Sequence, residues 1–184
     1  MSDFLPEGYT VKSTSDNYMK LKTGDNRFRI MTPPILGYEY WVDNENGRKP
    51  VRSHMDEVPE ISDLPNADPA ELKHFWAMVV WNYQMNKVQI LEITQKGIQK
   101  AITELNRDKD WGSPVGSNGY DIVVNKTGEQ KETKYNVIPK PQKPLTADIL
   151  KAVSEVKIDL NALYSGADPF QSTATVEDKA VMPF

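Results

Sequence analysis

The alternation of apolar and polar residues along the chain predicts five β-strands. The first strand is long and bent, because Pro33 and Pro34 interrupt an otherwise extended run. A hairpin follows, whose first strand is rich in aromatic and β-branched residues and carries the clearest strand pattern in the chain. The five predicted strands span residues 27–42, 74–83, 87–93, 120–125 and 134–138.

Two segments have the periodicity of an amphipathic helix. The first follows the third predicted strand, and Thr94 is its candidate N-cap. Its apolar positions recur at helical spacing at Ile98, Ala101, Ile102 and Leu105. The second begins at Thr146 and predicts a C-terminal helix over residues 146–164.

The order of three strands, a helix and two strands is that of an OB-fold, a five-stranded Greek-key barrel with its helix between strands three and four. The alternative is another small α+β sheet. We therefore expect a mostly β protein with a C-terminal helix and a flexible tail. The expected organisation is an N-terminal extension at 1–19, an OB-fold domain at 20–145 with a long loop at 43–73, the helix at 146–164, and a disordered acidic tail at 165–184.

Charge is unevenly distributed along the chain. The net charge of the whole chain is −4, but residues 20–53 and 73–145 carry +3 and +4, whereas residues 54–72 carry −6 and residues 146–184 carry −3. A basic body with an acidic tail suits a nucleic-acid-binding protein, although ordinary surface charge gives the same pattern. No apolar run is long enough to span a membrane and no signal peptide is recognisable, so we expect a cytoplasmic protein.

Motifs for catalysis and metal binding are mostly missing from the sequence. There is no cysteine, and the two histidines, His54 and His74, lie far apart. No phosphate-binding loop or nucleophile elbow is present. Glu92 ends a strand as metal-nuclease carboxylates do, but Thr94 stands where such enzymes have lysine, and no partner aspartate is evident. We predict no enzymatic activity, no cofactor and no metal site.

The remaining candidates are aromatic residues interleaved with basic ones. Aromatic rings can stack on nucleobases, and lysine and arginine can bind phosphates. Pairing Trp81 with Ile90 across the hairpin places Trp81 in the barrel interior and Trp76 on the opposite face, beside Lys87 and Gln89. Trp76 is therefore the better stacking candidate, although core packing remains open for each aromatic residue.

Residues 18–145 resemble bacteriophage single-stranded DNA-binding proteins of the OB-fold kind. The resemblance is carried by the run KHFWAMVVWNYQMNKVQILEITQKGIQKAI, with FRIMTPPILGYEYWV before it and YNVIPKPQKPL after it. It implies coating and protection of single-stranded DNA in phage replication or recombination, in the cytoplasm of a bacterial host. The expected stacking residues are Tyr38, Tyr40, Trp41 and Trp76. The expected phosphate contacts are Arg27, Arg29, Lys49, Arg52, Lys87, Lys126 and Lys134.

The last residues resemble the C-terminal tip of bacterial single-stranded DNA-binding proteins, which is acidic and closes with Pro-Phe. The matching residues are Glu177, Asp178, Pro183 and Phe184, whereas Lys179, Ala180 and Val181 stand where acids are expected. The resemblance implies a tail that recruits replication proteins.

Two other functions stay open at this point. An OB-fold module can bind a protein or an oligosaccharide through the same aromatic residues. A metal-dependent nuclease built on Glu92 would need magnesium and a second carboxylate. The preference for DNA over RNA and the oligomeric state are not indicated by the sequence.

Overall fold

The computed structural model describes residues 17–45, 47–60 and 72–170. Within these ranges the protein is mostly β, with one seven-stranded antiparallel sheet and a few helices. The strands are β1 (Gly24–Ile30), β2 (Ile35–Asn44), β3 (Gly47–His54), β4 (Lys73–Asn82), β5 (Lys87–Ile93), β6 (Ile122–Thr127) and β7 (Lys134–Pro139). The helices are α1 (Lys96–Arg107), α2 (Ala147–Glu155) and α3 (Ala162–Ser165), with a 3-10 turn at Gln130–Glu132. No helix in the described parts of the chain is both long and apolar enough to cross a membrane.

β4 is the centre of the sheet, since β5 pairs with one of its edges and both β1 and β2 pair with the other. Ile30 lies opposite Val80 and Ile35 opposite Ala77, so the β1–β2 side has two residues more than β4 between these pairs. The extra residues form the bend that the two prolines predicted. The hydroxyl of Thr32 accepts the Val79 amide at 3.1 Å there, a hydrogen bond in place of the strand ladder.

The long connection predicted at 43–73 is only partly a loop. Residues 47–54 form β3, an edge strand that pairs with β2 along its whole length, with Val51 opposite Tyr40. Sequence patterning missed this strand because it contains Pro50 and several charged residues. Both are tolerated in edge strands, where one row of backbone groups faces solvent.

The β4–β5 hairpin differs in register from the prediction by two residues. Trp81 lies opposite Val88 rather than Ile90, because the turn begins at Tyr83 and its last residue, Asn86, has a positive φ of 49°. A shift of two residues keeps each side chain on its predicted face. The prediction therefore assigned each side chain to the correct face but not to the correct covering element.

The sheet buries apolar residues on both faces. On the first, called the α1 face, Phe28, Ile30, Met78 and Val80 pack with Ile98 and Ile102 of α1. On the second, called the α2 face, the core residues are Phe75, Ala77, Val79, Trp81, Val88 and Ile90. The residues that cover the α2 face come from the C-terminal segment and are Ile149, Ala152, Val153, Ile158, Leu160, Leu163 and Phe170. Trp81 is buried as predicted, but by this segment rather than in the interior shared with α1.

The predicted helix at 146–164 is two helices. Thr146 caps α2 by accepting the Ile149 amide at 3.4 Å, but α2 ends at Glu155. The chain then crosses the α2 face and forms the short α3. The predicted cap at Thr94 is wrong, since Gln95 precedes α1 and no side chain caps that helix.

Residues 165–170, predicted as the beginning of a disordered tail, are ordered. Pro169 is buried, and its carbonyl accepts the Asp159 amide at 2.9 Å. The Phe170 ring meets Tyr18 edge-on at 6.4 Å. Residues 171–184, which contain the predicted partner-binding residues Glu177, Asp178, Pro183 and Phe184, lie outside the described residues.

Arg29 is a structural residue, so its predicted contact with phosphate is wrong. Its side chain is 1% exposed, and its Nε donates to Asp121 at 2.8 Å. Its Nη1 and Nη2 donate to the carbonyls of Gly116 and Lys143 at 3.0 and 2.7 Å. Arg29 thereby ties β1 to the chain before β6 and to the segment that leads into α2.

We expect Arg29→Ala to lower the free energy of unfolding by about 3–5 kcal/mol, because it leaves the buried Asp121 carboxylate without its enclosed partner. Arg27→Ala is the matched control, because Arg27 binds the same carboxylate at 2.8 Å but is 44% exposed. Its loss should cost about 1 kcal/mol or less. Urea denaturation measures the free energy of unfolding of both variants. Equal losses of stability in the two variants would contradict the structural role of Arg29.

Candidate nucleic-acid interface

Three neighbouring grooves share lining residues. The N-terminal groove is lined by Lys20, Lys22 and Gln84 among others, the central groove by Trp41 and Arg52 among others, and the β4–α1 groove by Tyr38, His74 and Lys96 among others. Tyr18 lines the first two grooves, and Lys73 and Thr94 line the last two. We call this succession of three grooves the track.

The segment before β1 places the first part of the track. Tyr18 and Met19 run beside the outer edge of β5, where the Met19 amide donates to the Ile90 carbonyl at 2.8 Å. Met19 is buried in the core and Leu21 packs against it, so the alternate residues Lys20 and Lys22 are exposed. Residues 17–19, predicted as part of an N-terminal extension, are thus attached to the sheet.

The β2–β3 hairpin places the central groove. Trp41 lies opposite Pro50 and Glu39 opposite Arg52, so these side chains share the α2 side of the hairpin. The Trp41 indole donates to Glu39 at 3.2 Å, and the Arg48 guanidinium lies 5.5 Å from the ring centroid. Trp41 remains 36% exposed, so an anchored aromatic surface is open to a ligand.

Arg52 joins two acidic residues at the bottom of the central groove. Its Nε donates to Glu39 at 3.0 Å and its Nη2 to Glu92 at 2.6 Å. Its side chain is only 10% exposed. Arg52, predicted as a phosphate contact, lines the central groove, but its Nε and Nη2 donate to carboxylates, so its main role is to hold the hairpin against β5.

Burial, together with the hydrogen bond and negative charge of Glu39, raises the pKa of Glu92 to about 8 against the opposing effect of Arg52. Glu39 is the neighbouring carboxylate that sequence patterning did not find, because it comes from a strand distant in the chain. The nuclease alternative required such a second carboxylate. However, Arg52 binds both acids, and the described residues contain no group of three or more potential metal ligands from His, Cys, Asp and Glu.

The predicted stacking residues do not share one surface. Tyr38, Tyr40 and Lys49 lie on the face of the hairpin opposite to Trp41, because side chains alternate along β2 and β3. Tyr38 still reaches the track, since its ring lies 6.0 Å from that of His74 in the β4–α1 groove.

Trp76 is on the predicted face of β4, which it shares with Lys87 and Gln89, but it lies opposite Ile93 and that face is the α1 core. The ring is half-buried against the core, its Nε1 donates to His74 at 3.2 Å, and Gln89 is fully buried. The expectation of an outward stacking platform at Trp76 is therefore wrong.

Besides Arg29 and Lys49, four more predicted phosphate contacts lie outside the track. Arg27 binds Asp121 and lies 5.4 Å from the Tyr83 ring centroid, and Lys126 donates to the Leu21 carbonyl at 3.4 Å. Lys87 begins β5 and Lys134 begins β7. None of the four lines the three grooves.

Sequence reasoning missed the track residues Tyr18, Lys20, Lys22, Lys73 and Lys96. The alternation of apolar Met19 and Leu21 with the two lysines is a strand-like signal that could have identified the first part. Lys73 and Lys96 carry no such signal, since only the folding of the sheet brings them together.

No protein-family model matches the chain, and no curated protein matches it either. The functional interpretation therefore depends on the geometry of these grooves and on the chemistry of the side chains that line them.

We expect Glu92→Gln to stabilise the protein more at pH 8 than at pH 5.5. Because the folded-state pKa of Glu92 is raised, folded protein holds a proton that unfolded protein loses above its ordinary pKa of about 4.3. The free energy of unfolding therefore falls as pH rises from about 4.3 to 8. Glutamine cannot lose a proton in this way, so the variant should have a free energy of unfolding higher than that of the wild type by on the order of 2 kcal/mol at pH 8. Urea denaturation at both pH values measures the gain.

The matched control is Glu129→Gln, which neutralises an exposed carboxylate in the β6–β7 turn. It should change stability equally at the two pH values. A pH-independent effect of Glu92→Gln would contradict the raised pKa.

Proposed function

We propose that this protein binds single-stranded DNA without sequence preference and without catalysis, and that the strand lies along the track. The observation that carries the proposal is the succession of three neighbouring grooves lined by basic and aromatic side chains. Sequence-tolerant single-strand binders combine a positively charged groove with aromatic rings on which bases stack.

The strand order supports an OB-fold as the scaffold. The path β5-β4-β1-β6-β7, with α1 between β5 and β6, is the order of an OB-fold in which β1 and β2 together form the first strand. In that interpretation β3 belongs to the connection between strands one and two and forms a hairpin with the β2 part of strand one. This connection flanks the ligand groove in OB-folds. Here it carries Arg52, and the β2 strand paired with it carries Trp41.

The charge and size of the track suit a phosphate backbone. Four exposed lysines follow its length, namely Lys20, Lys22, Lys73 and Lys96. The central groove, with a volume of about 530 Å³, is large enough for one nucleotide, and Trp41 offers the stacking surface in it. Contacts of this kind recognise features that all nucleotides share, so they confer affinity with little sequence preference.

The resemblance to phage proteins supports a role in coating single-stranded DNA during replication or recombination, in a bacterial cytoplasm. Recruitment of replication proteins by residues 177–184 remains part of this proposal. If the DNA titration below shows no binding, the result favours the alternative function, which is binding of a protein or an oligosaccharide.

Titration with a dT oligomer at low salt should quench tryptophan fluorescence to saturation, because a base stacks on Trp41. Trp41→Phe should remove most of the quenching and weaken binding by about 1 kcal/mol, at the low end of the energy of one stacked base. Trp111→Phe is the matched control, because Trp111 is exposed to the same extent (38% against 36%) but lies outside the grooves. No binding at low salt would contradict the proposal.

Lys73→Ala should reduce the slope of log affinity against log salt concentration by about one, because one phosphate contact is lost. Lys151→Ala on α2 removes an equally exposed charge away from the grooves and should leave the slope unchanged. Fluorescence anisotropy of a labelled dT oligomer at several salt concentrations measures both slopes. Identical slopes in the two variants would contradict the proposed position of the DNA strand along the track.

A further inference from the structure

Two carboxyl groups lie in the middle of a track that is otherwise suited to phosphates. Glu39 and Glu92 both bind Arg52, at 3.0 and 2.6 Å, and their side chains are only 5% and 18% exposed. A pair of buried acids in a site for a polyanion is unfavourable if both are ionised, because each repels the other and the ligand. Their position therefore calls for a functional explanation.

One arginine cannot neutralise two carboxylates. With both acids ionised, the cluster of Glu39, Glu92 and Arg52 carries −1, whereas with one shared proton it is neutral. Lys73 lines the same groove, so the central groove changes from +1 with the proton to zero without it. A single proton thus decides whether this part of the track attracts a phosphate.

We propose that Glu39 and Glu92 hold one proton between them, and that the binding of single-stranded DNA in the central groove is coupled to this proton. The inference depends on the function proposed above and adds a means of regulating it. A phosphate near the groove stabilises the protonated pair, so the affinity for DNA falls as pH rises and the pair loses its proton.

The phenol of Tyr18, which lines the same groove, stays neutral over the relevant pH range. Burial raises its pKa above the ordinary value of 10. The charged or titratable groups that face the cluster or its neighbour Tyr18 are Glu39 from β2, Arg52 from β3, Lys73 from β4, Tyr18 from the segment before β1, and Asp168 from the chain after α3.

The test is the dissociation constant for a dT oligomer between pH 6.5 and 9 at constant low salt, measured by anisotropy with wild-type protein. We expect affinity to fall about fivefold from pH 7 to pH 9, which corresponds to a pair whose pKa of about 8 rises by one unit when DNA binds. Both Glu92→Gln and Glu39→Gln should lose this fall, since each leaves one acid and one arginine. Glu129→Gln should retain it.

A second measurement on the free protein separates this inference from the proposed function. The Trp41 indole donates to Glu39, so tryptophan fluorescence of the free protein should show a step near pH 8 that Glu92→Gln and Trp41→Phe remove. If DNA does not bind at any pH while this step is present, the proposed function fails and the proton-sharing pair stands.

DNA binding that is independent of pH, or a pH dependence that persists in both variants, overturns the coupling and leaves the proposed function intact. If Glu92→Gln does not fold, Glu39→Gln provides the same comparison. A circular-dichroism melting curve at pH 7 establishes which variants are folded.

Discussion

The structure depends on β4, a strand that carries apolar side chains on both faces and pairs on both edges. Phe75, Ala77 and Val79 point to one side, and Met78 and Val80 to the other. Such a strand is stable only if both faces are covered, because exposed apolar area on either side favours association or unfolding. α1 covers one face and the C-terminal segment covers the other, and the buried Arg29–Asp121 pair connects that segment to β1.

This requirement explains where a ligand can bind. The α2 face over the second half of β4 is occupied by the protein's own residues 149–170, so it is closed to a nucleic acid. The open surface begins where that cover ends, at the β2–β3 hairpin and at the outer edge of β5. Among the residues that the structure describes, no apolar layer covers Trp41 and Arg52, and most of the side chains that line the space are polar. The Glu39–Arg52–Glu92 cluster holds the hairpin in position without closing the groove.

Much of the fold was predictable, but much of the candidate site was not. Alternation predicted β1, and helical spacing predicted α1, because each pattern reflects burial of a single face. The aromatic and β-branched residues of β4 predicted the β4–β5 hairpin. Trp76 was misassigned because periodicity separates the two faces of a strand but does not say which face is covered. Arg29 was misassigned because a buried arginine is indistinguishable in sequence from an exposed one until its partner Asp121 is located. Arg52 and Trp41 were identified, whereas Lys20, Lys22 and Lys73 were not.

The sequence by itself determined the strands other than β3, the bend at Pro33-Pro34, the first helix and the alternation that assigns each side chain to a face. These are local properties, set by residues within a few positions of one another. Only the tertiary structure decided that the C-terminal segment covers the α2 face, that β3 forms at the edge, and that Glu39 meets Glu92 across Arg52. Contacts of this kind join residues distant in the chain, so their partners and the shifted pKa of Glu92 arise only when the whole sheet is assembled.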